Sequence, residues 1–311
     1  MNTATNALPL WGLEGAEVTP IAARENAVYR VDLLAKSYAL RLHRRGYRTN
    51  SELAAELDWM AMLDRAGLTV PAPLASLDGP FLQVVNGVQV DVLTWLEGET
   101  LEAVLPSMAA ATRANVFTKL GQDMARMHDA IDAWPKAKSC DRPAWDVDGL
   151  LGDAPLWDRF WDNPALTPDQ RALMLAFRRC ASEELTTLAP NLDFGLIHAD
   201  LVPANVMISG NALQFIDFDD GGYGFRMFDV ATALMKHRQA KDYTVLRDAL
   251  IAGYSSLRQL DTTCLRLFLA LRAATYVGWN IIRTAEDQTG ARNAKFIAQA
   301  EALITEYMAQ C

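Results

Sequence analysis

Cysteine is scarce in this chain. Cys140, Cys180, Cys264 and Cys311 are the only four in 311 residues, and no two stand at C-x-x-C spacing. Zinc sites and dithiol redox centres use that spacing, so neither is expected, and the thiols read as free in a reducing cytoplasm. Long apolar runs are also missing. The most apolar stretch, Leu265 to Ile282, is broken by Arg266 and Arg272 and reads as a core helix rather than a membrane span. The N-terminus has no basic start followed by an apolar core, so no signal peptide is expected. Positive charge is in deficit: 29 Lys and Arg against 38 Asp and Glu give a formal net charge of -9, which weighs against a nucleic-acid partner. One small basic knot, His43-Arg44-Arg45 with Arg48, reads as a solvated loop or a phosphate-facing patch. There are no internal repeats or low-complexity tracts, and nothing in the sequence speaks to oligomeric state.

What is present is enough apolar material for two sizeable cores. Hydrophobic residues make up 51% of the chain, and its length suggests two lobes.

The most informative stretch is Leu196-Ile197-His198-Ala199-Asp200-Leu201-Val202-Pro203-Ala204-Asn205, followed by Phe215-Ile216-Asp217-Phe218-Asp219-Asp220. It reads His-x-Asp-x-x-x-x-Asn, a short hairpin, then Ile-Asp-Phe-Asp. Kinase catalytic loops have this layout. The loop aspartate receives the proton of an attacking hydroxyl, while the asparagine and second aspartate hold Mg²⁺ on ATP. Phosphoryl transfer asks mainly for positioning and counter-charge, so a base and a metal ligand five residues apart on one loop suit it. Asn205 to Ser209 and Leu213 to Ile216 read as two strands joined at Gly210-Asn211, which would carry Asp217 back beside Asn205. His198 reads as a brace for the loop backbone.

Upstream, Val18 to Ala22, Ala27 to Val31 and Tyr38 to His43 read as three strands. The turn Ala23-Arg24-Glu25-Asn26 sits where protein kinases carry a glycine-rich loop over the ATP phosphates; here it has no glycine, though its backbone N–H groups could still face phosphate. Alternation on the third strand sets Tyr38, Leu40 and Leu42 on one face, with Ala39, Arg41 and His43 on the other. Asn50 to Ala66 has helical periodicity, with Leu53, Leu57, Met60 and Leu63 as its apolar stripe. Glu56 falls inside that stripe, where an unpaired charge is costly; Arg41 is the expected partner, with snorkelling to solvent as the alternative. Phe81 to Val85 and Gln89 to Thr94 flank Asn86-Gly87, a strong hairpin signal. Thr94-Trp95-Leu96-Glu97-Gly98 then ends the sheet, as a hinge in the kinase reading or as an ordinary strand-to-helix turn.

Beyond Gly98 the pattern turns helical. Helices are expected at Ala109 to Ala130, at Thr167 to Leu188 behind a Thr-Pro start, and around 242–257, 262–284 and 290–309. Trp134 to Leu166 is the least legible region. His128 reads as structural. Asp229 is expected either to cap a helix or to tie down the catalytic loop.

These segments carry a family resemblance. Glu25 to Val31, Tyr38 to Arg44, Glu56 to Met60, His198 to Asn205, Phe215 to Asp220 and Phe228 to Ala231 make the chain similar to aminoglycoside phosphotransferase-like (choline-kinase-like) small-molecule kinases. Within them it looks most like the type II homoserine kinase and stress-response kinase branch. The resemblance implies a bilobal, protein-kinase-like α+β fold. Residues 1–97 would form a nucleotide-binding lobe, an antiparallel sheet with one helix, and residues 98–311 a mainly helical catalytic lobe. It further implies ATP and Mg²⁺ between the lobes, with Asp200 as base and Asn205 and Asp217 as Mg²⁺ ligands. Arg41 would contact the phosphates, supported by Glu56. Asn26 would lie in the phosphate-covering turn, and backbone groups of Thr94 and Leu96 would hold adenine. Two departures stand out. Arg41 replaces the lysine of many relatives, which keeps the charge but alters reach. Asp219 follows Phe218 where protein kinases have glycine, so their activation switch is not expected.

The acceptor is expected near Asp200 and the late helices. Asp219 and Asp220, with Tyr276 and Trp279, suit an ammonium-bearing alcohol by ion pairing and cation–π contact. Arg226, Arg272 or Arg283 could meet a carboxylate, and core packing or a surface role is the alternative for each of these residues. The expected activity is phosphorylation of a small amino alcohol or hydroxy amino acid. A Ser/Thr protein kinase of the stress-response type and a non-catalytic nucleotide-binding module are the other readings.

Overall fold

A computed structural model describes residues 2–23, 26–287 and 289–309. The chain begins with α1 (Asn2–Ala7), β1 (Glu17–Ala23), β2 (Ala27–Leu33), β3 (Lys36–Leu42), α2 (Asn50–Arg65), β4 (Gln83–Val85) and β5 (Val88–Thr94). It continues through β6 (Glu99–Thr100), α3 (Leu101–Val104), α4 (Ala110–Asp132), β7 (Ala144–Trp145), α5 (Val147–Leu151) and α6 (Pro168–Leu188). The last part holds β8 (Phe194–Ile197), β9 (Val206–Ser209), β10 (Ala212–Phe215), β11 (Gly222–Phe225), α7 (Arg226–Met235), α8 (Tyr243–Ser255), α9 (Leu265–Trp279) and α10 (Ala291–Met308). These elements group into two compact units. The first comprises residues 1–106, 130–142 and 204–219; the second comprises 107–129, 143–203 and 220–311.

The first unit is built on a five-stranded antiparallel sheet ordered β1-β2-β3-β5-β4. Asn86 and Gly87 both adopt positive φ, 53° and 71°, as the tight β4–β5 turn requires. Register sets the two faces. Leu40 pairs with Val92 and Arg41 with Asp91, so the apolar pair points one way and the ionic pair the other. The apolar face is closed by the N-terminal segment, a role its sequence did not announce. Ala4, Ala7, Leu8, Trp11 and Leu13 pack with Val31, Leu40, Val90 and Val92, and Trp11 Nε1 donates to the Leu74 carbonyl at 2.9 Å. Each large side chain buried there contributes roughly 1.5–3 kcal/mol.

Helix α2 starts at a capping box: Thr49 Oγ1 accepts from Glu52 N–H, and the Glu52 carboxylate accepts from Thr49 N–H at 2.8 Å. Leu53, Leu57, Met60 and Leu63 are buried as their periodicity predicts, and Glu56 is buried among them. A second small sheet, β10-β9-β6, completes this unit. Gly98 feeds β6 at φ 137°; a Cβ there would stand 2.5 Å from the Ile208 carbonyl oxygen, so the turn accepts only glycine.

The second unit is mainly helical around a short sheet, β7-β11-β8. Helix α9 packs against α7 and α10, and α10 against α6. Gly121 on α4 faces the backbone of Leu250 and Gly253 on α8 faces that of Thr118, so these helices cross with their backbones in near contact. Phe160, Phe177, Phe225, Phe228, Phe268 and Trp145 fill the core. The least legible stretch contains β7 and α5 with short 3₁₀ turns at Pro135–Lys138 and Phe160–Asp162. Among the described residues, no helix is long and apolar enough to cross a membrane.

Candidate active site

The ionic face of the first unit's sheet carries a closed network. Arg41 Nε and Nη2 grip both oxygens of Asp91, at 2.8 and 2.9 Å, and Nη1 donates to Glu56 at 2.9 Å. His43 Nε2 lies 2.6 Å from Asp91, and Arg142 Nη1 reaches the other Glu56 oxygen at 3.2 Å. Glu56 therefore does not snorkel; it bridges two arginines with no exposed surface. Burial opposes both carboxylates, yet Arg41 and its neighbours hold Glu56 below its usual range and bring Asp91 to about 2. Two arginines, Arg41 and Arg142, balance the two carboxylates of Asp91 and Glu56. Arg41 has three of its five N–H donors committed, leaving one on each Nη for another acceptor.

The β9–β10 hairpin forms as its turn residues dictate, with Val206 opposite Phe215 and Gly210 at positive φ. It brings Ile216 N–H to the Asn205 carbonyl at 3.0 Å, so Asn205 and Asp217 adjoin on neighbouring backbone. Asp217 has φ 67°, in the left-handed region that costs a non-glycine residue on the order of 1 kcal/mol. Phe218, wholly buried, packs edge-on against Trp59 with ring centroids 5.2 Å apart. The donor set, one carboxylate and one amide oxygen, fits Mg²⁺, which takes one or two protein carboxylates and fills its octahedron with water and phosphate oxygens. Among the described residues, no group of three or more His, Cys, Asp or Glu side chains is placed to hold a metal, and a phosphate-bound Mg²⁺ does not need one.

In the second unit the catalytic-loop sequence is braced from below. Ala199, directly before Asp200, has φ 64°. Its N–H donates to Asp229 Oδ1 at 2.7 Å, and His198 N–H donates to Oδ2 at 3.0 Å. Asp229 lies within the first turn of α7 but does not cap it; of the two roles expected, it performs the tie to the loop. Burial pushes its carboxyl up, against the pull of His198 and the two backbone donors. His128 Nε2 sits 3.1 Å from the same carboxylate and its Nδ1 2.7 Å from the Tyr254 hydroxyl, in a buried structural chain. His198 Nδ1 accepts from Asp200 N–H at 3.4 Å, the bracing role its position suggested.

Asp200 itself pairs with Arg272, which reaches its Oδ1 from α9. Arg272 is fully buried. Its guanidinium lies 4.5 Å from the Trp157 ring centroid, 4.4 Å from Tyr276 and 5.4 Å from Phe228, and it donates to the Tyr276 hydroxyl at 3.1 Å. Nε and Nη1 have no hydrogen-bond partner among the described residues. Trp279 is likewise faced by Arg283 and Arg292, at 4.3 and 5.2 Å. The aromatics expected to receive an ammonium group thus already hold the chain's own cations. Asp220 Oδ1 accepts from Trp157 Nε1 at 3.3 Å.

Residues 17–268 match the model of the phosphotransferase enzyme family. The chain belongs to that family. As a member it is an enzyme of the ATP-dependent kinase class. The phosphotransferase is 30% identical to a homoserine kinase of Rhizobium meliloti (strain 1021) over 246 residues, 76% of this chain and 68% of that protein. It superposes on a microcompartment-associated aminopropanol kinase with TM-score 0.85 and 26% identity, over 99% of this chain and 98% of the other. An amicoumacin kinase solved with AMP-PNP, Ca²⁺ and Ami matches 97% of this chain and 92% of its own, at TM-score 0.76 and 20% identity, a likeness of fold. The α+β, protein-kinase-like architecture expected from the sequence is the one found.

The remaining expected positions of this phosphotransferase are less favourably disposed. Thr94 N–H donates to the Ala72 carbonyl at 2.8 Å, so that amide is not available to a nucleobase; its hydroxyl accepts from Ala72 N–H at 2.8 Å. Leu96 follows directly on Trp95, whose ring lies under the Arg30 guanidinium at 5.0 Å. Asn26 Oδ1 accepts from Arg44 N–H at 3.4 Å, and Arg24 and Glu25 of the glycine-free turn lie outside the described residues, as does Cys311. Asp91, Arg142 and Trp157 were missed. Asp91 alone had a signal, an acid in a β-branched strand directly across from Arg41. Arg142 and Trp157 come from the irregular stretch whose contacts no periodicity encodes.

Proposed function

We propose that the chain moves the γ-phosphoryl group of ATP to the hydroxyl of a small hydroxy amino acid of the homoserine type. Asp200 orients that hydroxyl and receives its proton as the oxygen attacks phosphorus. Asn205 and Asp217 hold Mg²⁺, which when bound neutralises the triphosphate. The remaining N–H groups of Arg41 meet a phosphate oxygen, and the Asp91 and Glu56 carboxylates fix the guanidinium in place. Thr94 through its carbonyl, and Leu96, receive adenine, and Asn26 belongs to the turn over the phosphates.

One observation carries the choice of acceptor. Arg272 lies against Asp200 with two buried donor nitrogens, Nε and Nη1, unpartnered among the described residues. An unsatisfied buried donor costs about 1–3 kcal/mol, which a substrate carboxylate would recover in a charge-assisted bond. The homoserine kinase likeness agrees. An amino alcohol is the second reading, favoured by the Asp220 carboxylate on Trp157 and by the aminopropanol kinase likeness.

The test is a matched pair of acceptors, homoserine and the amino alcohol that lacks its carboxylate. A kcat/KM at least tenfold higher for homoserine supports the carboxylate reading; equal or reversed values support the amino alcohol.

A further inference from the structure

The segment that carries Asp217 is held by a side chain from far away in sequence. Arg142 stands at the end of the irregular stretch after α4, and its guanidinium has no exposed surface. Nη2 donates to the Phe218 carbonyl at 3.0 Å and to the Asp219 carbonyl at 2.6 Å. Nη1 donates to the Glu56 carboxylate at 3.2 Å and to the Glu52 carbonyl at 3.3 Å. Arg48 Nη2 adds a second donor to the Asp219 carbonyl at 3.0 Å. One fork therefore joins α2 to the two peptide groups that follow Phe218 and Asp219.

We propose that Arg142 is a positioning residue for the metal–nucleotide, fixing the direction in which Asp217 presents its carboxylate and tying it to the Glu56–Arg41 pair. This rests on the reading of Asp217 as a metal ligand. The physical case is local. Asp217 has a positive φ of 67°, a conformation that costs a residue with a Cβ on the order of 1 kcal/mol, so the flanking hydrogen bonds decide how firmly it is held. On its N-terminal side, Ile216 N–H is fixed to the Asn205 carbonyl. On its C-terminal side, the carbonyls of Phe218 and Asp219 are fixed by Arg142, and swinging either would leave a buried acceptor without its donor. Only a planar fork meets two successive carbonyls and a carboxylate together; an ammonium on a flexible stem does not. Charge alone is not the point, since a lysine at position 142 would supply the same charge to Glu56 without the fork. Loss of the fork leaves the Phe218 carbonyl without Arg142 and the Asp219 carbonyl with Arg48 alone, which loosens the peptides beyond Asp217 while the sheet and α2 keep their core.

The experiment measures binding of a non-hydrolysable ATP analogue by calorimetry, with and without Mg²⁺, for wild type, Arg142→Lys, Arg142→Gln and Asp217→Asn. Melting curves serve as the control for folding. Metal-free analogue binding should be unchanged in both Arg142 variants, while the affinity gained from Mg²⁺ falls about 10–100-fold, the usual loss when a residue behind a metal ligand is removed. Arg142→Lys keeps the charge and is the variant expected to keep the fold, so a loss there identifies the fork. Amide exchange in the protein without ligand should quicken at residues 217–219 and not in β2 or β3. Wild-type Mg²⁺ dependence in Arg142→Lys, with Asp217→Asn impaired, would overturn this proposal alone. Mg²⁺ dependence unchanged in Asp217→Asn as well would overturn the metal-ligand reading with it.

Discussion

Asp229 holds the backbone of Ala199 on one carboxylate oxygen at 2.7 Å, and Ala199 in turn carries the chain into Asp200 at positive φ. An α7 side chain thus sets the direction of the backbone that leads into Asp200. Asp229→Asn should keep nucleotide affinity and lower kcat by about 10²-fold, the scale of a small misplacement of a reacting group. Asparagine can accept one of the two backbone N–H bonds but not both on charged oxygens. Steady-state kinetics beside nucleotide titration separates the two effects, and a wild-type kcat would show that the brace is dispensable.

Arg272→Met should raise KM for an acidic acceptor roughly 10–100-fold, the worth of one charge-assisted hydrogen bond. KM for the amino alcohol should move far less, because that acceptor has no group for the guanidinium. A parallel rise for both acceptors would mean that Arg272 serves only to hold Asp200.

Asp91 sets an acid limit on the first unit. Its pKa is brought to about 2 by Arg41 and His43, below the ordinary value near 3.8. A depressed acid contributes stability that is complete above its unfolded pKa and lost as pH falls through the folded one. The loss should therefore run from about pH 4 to pH 2 and amount to ~2 kcal/mol. Glu56, also held low, adds to it in the same direction. Asp219, raised by burial, acts oppositely above its ordinary value. Melting temperature should fall as pH is lowered across that window in the wild type, and less steeply in Asp91→Asn.

Much of this was readable because local rules agreed with the fold. The Asn86-Gly87 turn, the capping box at Thr49 and the periodicity of α2 each specify their element without help from elsewhere. The Arg41–Glu56 pair was legible for a related reason, since an acid within an apolar stripe demands a cation and the neighbouring strand offered one. The N-terminal cover on the sheet was not legible, because Ala4, Ala7 and Trp11 form an apolar face only once Val31, Leu40, Val90 and Val92 are beside it. Tyr276 and Trp279 suit a substrate ammonium by composition, but composition does not tell that Arg272, four residues before Tyr276 on the same helix, lies against Tyr276, or that Arg283 and Arg292 face Trp279. Arg142 acts through backbone carbonyls, which leave no mark in sequence.

Whether the chain phosphorylates a small-molecule hydroxyl with Asp200 as base is decided by ADP release from Mg²⁺-ATP. Hydroxy amino acids and amino alcohols are supplied as acceptors to the wild type and to Asp200→Ala. Acceptor-dependent ADP release should fall by roughly 10²–10⁴-fold in Asp200→Ala while ATP still binds. Acceptor-dependent turnover at the wild-type level in Asp200→Ala would contradict Asp200 as base.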